Sequence, residues 1–424
     1  MPATVDVTLG RHLGWAGLKI SAYELLWNDG LEMVPRPSRK SIVMIKLFTR
    51  TLCLLLPITL VSLPTPLVAK DLATVQAWIR DISQVGLDGN GHEHAMVATR
   101  KLQQADATAL PLIVDALGKA DQLAANWLRS CFETIADRTL KNGEDLPAVA
   151  LEKQVRDITI NPRGRRLAYE WLLKSDPALA DRLLPGFLKD PNPVFRRDAV
   201  AQLLEQASVI PNQDEPERAR EVYRLALTGA VDNDQVTQVV NALKELDETV
   251  DLQRHFGYLT NWQMIGPFEN LDMKGFDVAY PPEKSLDVSE KYAGQLGEVT
   301  WQAITTDDDY GLIDIATQIE NYKGSVMYAQ AEFVSPVRQQ VDARLSTPNA
   351  WKLWVNGKLV FAREEYHRGT RLDQFRVNVD LQPGSNHILL KLLQNEQTEN
   401  WAQKYEFRLR FCDASGSAVL SGEL

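Results

Sequence analysis

The stretch LLQNEQTENWAQKYEF gathers amides and acids around one indole: Gln394, Asn395, Glu396, Gln397, Glu399, Asn400 and Trp401. Those residue types suit a sugar. Planar amides and carboxylates hydrogen-bond ring hydroxyls, and a flat aromatic face accepts the apolar face of the ring. An earlier loop supplies His367, Arg371 and Asp373, which would join the set if both loops share one end of a sheet structure. The candidate ligand-binding residues are therefore His367, Arg371, Asp373, Asn395, Glu396, Gln397 and Trp401. The competing reading is structural: Trp401 closes a core and the amides cap strand ends.

Other chemistry is weakly signalled. His92-Glu93-His94 lacks a third ligand at helical spacing, so it is not the paired-histidine zinc pattern, and it reads as a helix start after the Gly89-Asn90-Gly91 turn. The Asp88-Gly89-Asn90-Gly91 run opens like a calcium loop but lacks the later acids and the closing glutamate. The chain contains no nucleophile elbow, no phosphate-binding loop and no zinc-deaminase signature. Carboxylates are abundant, and none is singled out by its context as half of an acid pair. No catalytic residue, metal ligand or cofactor is expected on this basis.

The 424 residues allow two or three domains. A hydrophobic content of 45%, with 24% charged residues, is that of an ordinary globular protein. The formal net charge of −10 argues against a nucleic-acid partner, because phosphate binding needs a basic face. Three cysteines are too few for a disulfide scaffold, and Cys131 and Cys412 read as small buried apolar residues.

Residues 44–69 have the anatomy of a signal peptide. Lys46 and Arg50 precede an apolar run from Leu52 to Leu63, and Leu67-Val68-Ala69 offers a small residue at the cut. The run is too short and too broken by proline to cross a membrane. Export follows, to a periplasmic, cell-surface or extracellular location, with no stable transmembrane segment after processing. Residues 1–43 have no clear period, and translation starting at Met44 would explain them.

Between residues 70 and 252 apolar residues recur at helical spacing. Leu110-Pro111, Leu146-Pro147 and Leu184-Pro185 each head a helical run, and RRLAYEWLL (165–173) aligns with RRDAVAQLL (196–204). The stretch LLPGFLKDPNPVFRRDAVAQLLEQ resembles a HEAT repeat, and the resemblance implies an α-solenoid whose units bury their apolar faces by stacking. An irregular helical domain is the alternative. The Arg-Arg pairs read as ion-pair partners for acids of the next repeat, ahead of a partner-binding surface.

From residue 257 to 424 the period shortens and β-branched and aromatic residues accumulate. Nine runs read as strands, beginning with WQMIGPF, TWQAI and SVMYAQAEFVS and ending with YEFRLRFCDA. Asn356-Gly357 between AWKLWV and KLVFA is a strong hairpin signal, and Pro383-Gly384 turns the chain into NHILLKLLQ. This pattern, WKLWVNG followed by VNVDLQPGSNHILLKL, resembles galactose-binding-like jelly-roll β-sandwiches, found as sugar-binding domains of glycosidases and as accessory modules of secreted bacterial proteins. The resemblance implies the fold and not the ligand, since such domains bind sugars, bind proteins or only pack. Loops of such domains can hold structural calcium, for which Asp307-Asp308-Asp309 would be the place.

The expected architecture is thus α then β: a HEAT-like α-solenoid (70–252) followed by a galactose-binding-like jelly-roll β-sandwich (257–424). The expected function is an exported, non-enzymatic binding and scaffold protein whose partner is a protein, a cell-surface or extracellular glycan, or both. The alternative is a glycosidase-type hydrolase with catalytic carboxylates in the sandwich loops. The division into two domains predicts limited proteolysis at DETVDLQRHFGYLTN or at ASVIPNQDEPER.

Overall fold

A computed structural model describes residues 72–211 and 213–422. The leader assigned to 44–69 and the extension at 1–43 lie outside the described residues. No helix among the described residues is long and apolar enough to cross a membrane.

Eleven helices come first among the described residues. They are α1 (Leu72–Ser83), α2 (His92–Leu102), α3 (Leu110–Leu117), α4 (Gln122–Lys141), α5 (Ala148–Arg156) and α6 (Pro162–Ser175). The short α7 (Leu179–Leu183) is followed by α8 (Pro193–Ser208), α9 (Pro216–Gly229), α10 (Asn233–Glu245) and α11 (Leu252–Phe256). Their starts follow from local chemistry. Asp121 and Asn192 accept hydrogen bonds from the first free amides of α4 and α8, and proline stands in the first turn of α3, α6, α8 and α9. His92 begins α2 after the left-handed Gly91, as the sequence predicts. The Leu184-Pro185 run differs: it forms only a 3₁₀ turn from Leu184 to Phe187. Asp190-Pro191 ends it before a full helix can grow.

Successive helices pack into one apolar core. Neighbours approach so closely at Gly164 of α6 that a Cβ there would lie 2.5 Å from the Val114 carbonyl oxygen of α3. Three of the four arginines in the Arg-Arg pairs meet acids as predicted, and Arg196 does not. The first arginine of each pair is buried: Arg165 holds the Val155 carbonyl and forks onto Asp190, and Arg196 holds the Gly229 carbonyl. The second arginine pairs with acids further along: Arg166 with Asp198, Arg197 with Asp232 and Asp234.

Strands replace helices after residue 260. In order they are β1 (Asn261–Glu269), β2 (Lys291–Gly294), β3 (Gly297–Thr300), β4 (Gln302–Thr305), β5 (Ile313–Asp314) and β6 (Ser325–Ser335). Then come β7 (Gln339–Ser346), β8 (Ala350–Val355), β9 (Lys358–Arg363), β10 (Phe375–Leu381), β11 (Gly384–Gln394) and β12 (Glu406–Cys412). The nine predicted runs are all strands. The β2–β3 hairpin and the two-residue β5 are additions that carry too little alternation to be read in advance.

Two antiparallel sheets face each other, ordered β4-β1-β6-β11-β8-β9 and β10-β7-β12-β5. Inward residues of both, such as Met327, Leu353, Leu390, Val341 and Phe407, share one core. Trp351 fills its centre, stacked on Phe361 with ring centroids 4.7 Å apart. Asn356 and Gly357 both have positive φ (51° and 75°), which makes the β8–β9 connection the predicted tight turn.

The outer face of the larger sheet carries a second core. Trp354, which alternates out of the main core, packs there with Tyr328, Leu389, Phe276 and Tyr280. Lys391 is wholly buried on this face, and its Nζ donates to the Phe276 and Val278 carbonyls and to Glu283. Burial lowers its pKa, an effect that Glu283 opposes.

The described residues belong to one compact unit, so the helices and sheets pack against each other. Arg196 of α8 donates to the hydroxyls of Ser415 and Ser417 at the C-terminal turn, and Arg410 of β12 donates to the Phe256 carbonyl. Leu252, Phe256 and Tyr258 are buried in the helical core. The predicted linker is therefore anchored at these residues, while Asp247, Thr249, Asp251, Arg254 and Asn261 within it are exposed.

Candidate functional site

The loop after β11 is built before any ligand is considered. Gln394 reaches forward to the carbonyls of Ala402 and Lys404, Lys323 holds the Ala402 carbonyl from another side, and Gln403 binds the carbonyls of Thr398 and Glu399. These bonds fold Asn400–Ala402 into a 3₁₀ turn and leave Trp401 60% exposed while its neighbour Ala402 is buried. The indole does not close a core, so the structural reading of Trp401 fails. The amides around it do tie down loop backbone, as that same reading held.

Five of the seven predicted residues meet here. His367, in the β9–β10 loop, places its ring edge-on to Trp401 at 5.2 Å between centroids. Its Nε2 lies 2.6 Å from Asn395 Oδ1. A neutral or charged imidazole can donate there, which fixes the ring against the loop. The Asn395 amide nitrogen donates to Gln397 Oε1 at 2.9 Å. Glu396 is exposed and its Oε2 accepts the Asp272 amide at 3.2 Å. Glu399, two residues before the indole, is exposed as well.

Asn270 and Tyr366 stiffen the loops from below and were not found from sequence. Asn270 is fully buried; its amide nitrogen donates to Tyr366 Oη and to the Gln394 carbonyl, and its Oδ1 has no partner among the described residues. No periodicity marks such a residue, because its value lies in contacts more than ninety positions away.

Arg371 and Asp373 do not join the cluster. Arg371 is exposed and makes no hydrogen bond or ion pair among the described residues. Asp373 turns to the outer face of the smaller sheet, where it accepts from Arg410 at 2.6 and 2.8 Å and from Arg344 at 2.8 Å. Burial opposes its ionisation, but the two guanidiniums outweigh that and hold its pKa below the usual carboxylate range. Two arginines of the sheet demanded an anion, and a positive φ of 51° at Asp373 lets the chain deliver it.

At the other sequence-level candidates, Asp308 of the triple-aspartate run accepts the amides of Tyr310 and Leu312 and so organises a turn. Among the described residues no group of three or more His, Cys, Asp or Glu side chains is arranged to hold a metal ion. Cys131 and Cys412 are free and buried, and burial pushes the Cys131 thiol up to about 12.

No protein-family model matches the chain, and no curated protein does. Among solved structures it is similar to an α-xylosidase of glycoside hydrolase family 31 from Xanthomonas citri, at 13% identity and a TM-score of 0.18, over 36% of this chain and 15% of that one. It is also similar to a β-glucosidase from Kluyveromyces marxianus, at 8% identity and a TM-score of 0.24, over 73% of this chain and 38% of that one. The same enzyme in complex with glucose gives 8% identity and a TM-score of 0.23, over 70% and 37% of the two chains. This chain thus spans well under half of the structures it matches. The neighbours found are glycosidases, the class of the alternative reading and not of the expected non-catalytic binding and scaffold protein. TM-scores this low carry no argument about residues or substrate, which rests on the geometry above.

Proposed function

We propose that the chain is a glycosidase-type hydrolase that takes its sugar at the loops around Trp401. The observation that carries this is the half-exposed indole held edge-on by His367, itself bonded to Asn395. A sugar ring would lie on the Trp401 face, with His367, Asn395 and Gln397 turned to its hydroxyls. Glu396 and Glu399 both precede the indole on the same loop and would supply the two carboxyls that glycoside cleavage needs. One protonates the leaving oxygen; the other activates water or attacks the anomeric carbon.

The finer architecture belongs to the same reading. The alternating use of Arg165/Arg166 and Arg196/Arg197 supports a HEAT-like solenoid, and the two facing antiparallel sheets support a galactose-binding-like jelly roll. Export through residues 44–69 would place the protein where cell-surface or extracellular glycans are met.

A panel of 4-nitrophenyl glycosides tests the proposal. Turnover above the uncatalysed rate is expected for at least one sugar, with Glu396→Gln or Glu399→Gln lowering kcat by roughly a hundredfold or more, as loss of an acid–base group does. Binding without turnover across the panel, or turnover untouched by both variants, overturns it.

A further inference from the structure

The smaller sheet carries a second feature, remote in sequence and function from Trp401. Arg376 of β10 sits opposite Arg344 of β7, and Arg344 sits opposite Arg410 of β12. Alternation puts all three on the outer face, because their neighbours Val377, Ala343 and Leu409 face the core. Like charges opposite one another across strands repel, so such a row persists only with anions beside it. Asp373 serves Arg410 and Arg344. Asp342 stands further off, 3.7 Å from Arg344. Arg376 has no hydrogen bond or ion pair among the described residues, and the Nε of Arg344 is buried without an acceptor. The row therefore holds more donors than the protein supplies acceptors.

The row lines a cleft of about 290 Å³ between the smaller sheet and the helices. Phe256, Tyr258 and Asn233 line it too, and Asp232, the remaining acid, is already bound to Arg197. One unmatched guanidinium calls for one negative charge, and its planar fork matches a carboxylate. The apolar ring, hydroxyl and amide nearby suit a hydroxylated body. The volume is near the lower limit of small-molecule sites.

We propose that this cleft binds a small hydroxylated monocarboxylate, of the uronic or aldonic acid class, through Arg376. The site is independent of the loops around Trp401, and its test does not depend on turnover.

Isothermal titration of the whole protein with glucuronate and with gluconate reads it directly, alongside glucose, acetate and inorganic phosphate. Saturable binding of at least one of the two acids is expected, stronger than that of glucose or acetate. Arg376→Gln, at an exposed position, should weaken it about tenfold or more, and Arg376→Lys should not restore it, since the lysine lacks the fork. Trp401→Ala should leave it unchanged. Phosphate binding tighter than either acid, glucose binding as tightly, or an Arg376→Gln variant that binds normally would each overturn the proposal. So would the absence of saturable binding by both acids.

Discussion

Trp401 and Asp373 show how differently two residues from the same candidate set are used. With 60% of its surface in water, Trp401 contributes little to folding. Trp401→Ala should therefore shift stability by no more than about 0.5 kcal/mol, the usual range for exposed positions. A urea melt checks this, and a loss of several kcal/mol would return the indole to the core. Asp373 is the opposite case. Removing its charge leaves Arg344 and Arg410, 7% and 5% exposed, facing each other without their common anion. Asp373→Asn should cost about 3–5 kcal/mol, as breaking a buried pair does. The pH dependence has a definite sign. The folded-state pKa lies below the value of about 3.9 for an unfolded chain. The ion-pair contribution is thus fully present above about pH 4 and drains away as pH falls through the folded-state pKa. Melts at pH 7, 4 and 3 should show the wild type losing this increment, and the Asn variant, already without it, should fall less steeply.

At the scale of the element, the β8–β9 hairpin is scaffold. A Cβ at Gly357 would meet nothing within 4 Å, so a substitution there is penalised by backbone conformation alone. Gly357→Val at a φ of 75° should cost about 1–2 kcal/mol. Sugar binding at the β11–β12 loop should be unchanged once the variant is folded. A melting curve combined with a glycan titration separates the two effects, and a binding defect at full stability would place the turn in the site. The β11–β12 loop itself is tied down by Gln394 and Gln403, whose amides bind backbone carbonyls, and by Asn395, which bonds the side chains of Gln397 and His367. That explains why a run so rich in Gln and Asn holds one defined shape.

At the scale of the molecule, the helices and sheets share contacts that a two-domain reading does not anticipate. Arg196 and Arg410 bridge them, and Phe256 and Tyr258 bury the chain between them. Far-ultraviolet dichroism and tryptophan fluorescence should therefore report one coincident transition. Limited proteolysis should cut near the exposed Val209, Asp214 and Glu215 and spare 247–261, which Leu252, Phe256 and Tyr258 anchor in the helical core. Early cleavage at 247–261, or two separated transitions, would show that the regions fold apart.

Sequence alone determined the order α then β, nearly every strand, the Asn-Gly turn, the ion-pairing of three of the four arginines in the Arg-Arg pairs and five members of the loop cluster. Each of these is written in local terms: a period of 3.6 or 2, a residue that tolerates positive φ, a charge spaced one repeat from its partner. Tertiary structure decided what depends on distant neighbours. It turned Asp373 toward two arginines that stand 29 and 37 residues away. It placed Asn270 under loops more than ninety residues on, and it buried Lys391 within reach of Glu283. It also laid Arg376, Arg344 and Arg410 side by side, because strand order and register, which set which side chains face each other, are properties of the paired sheet and not of any one strand.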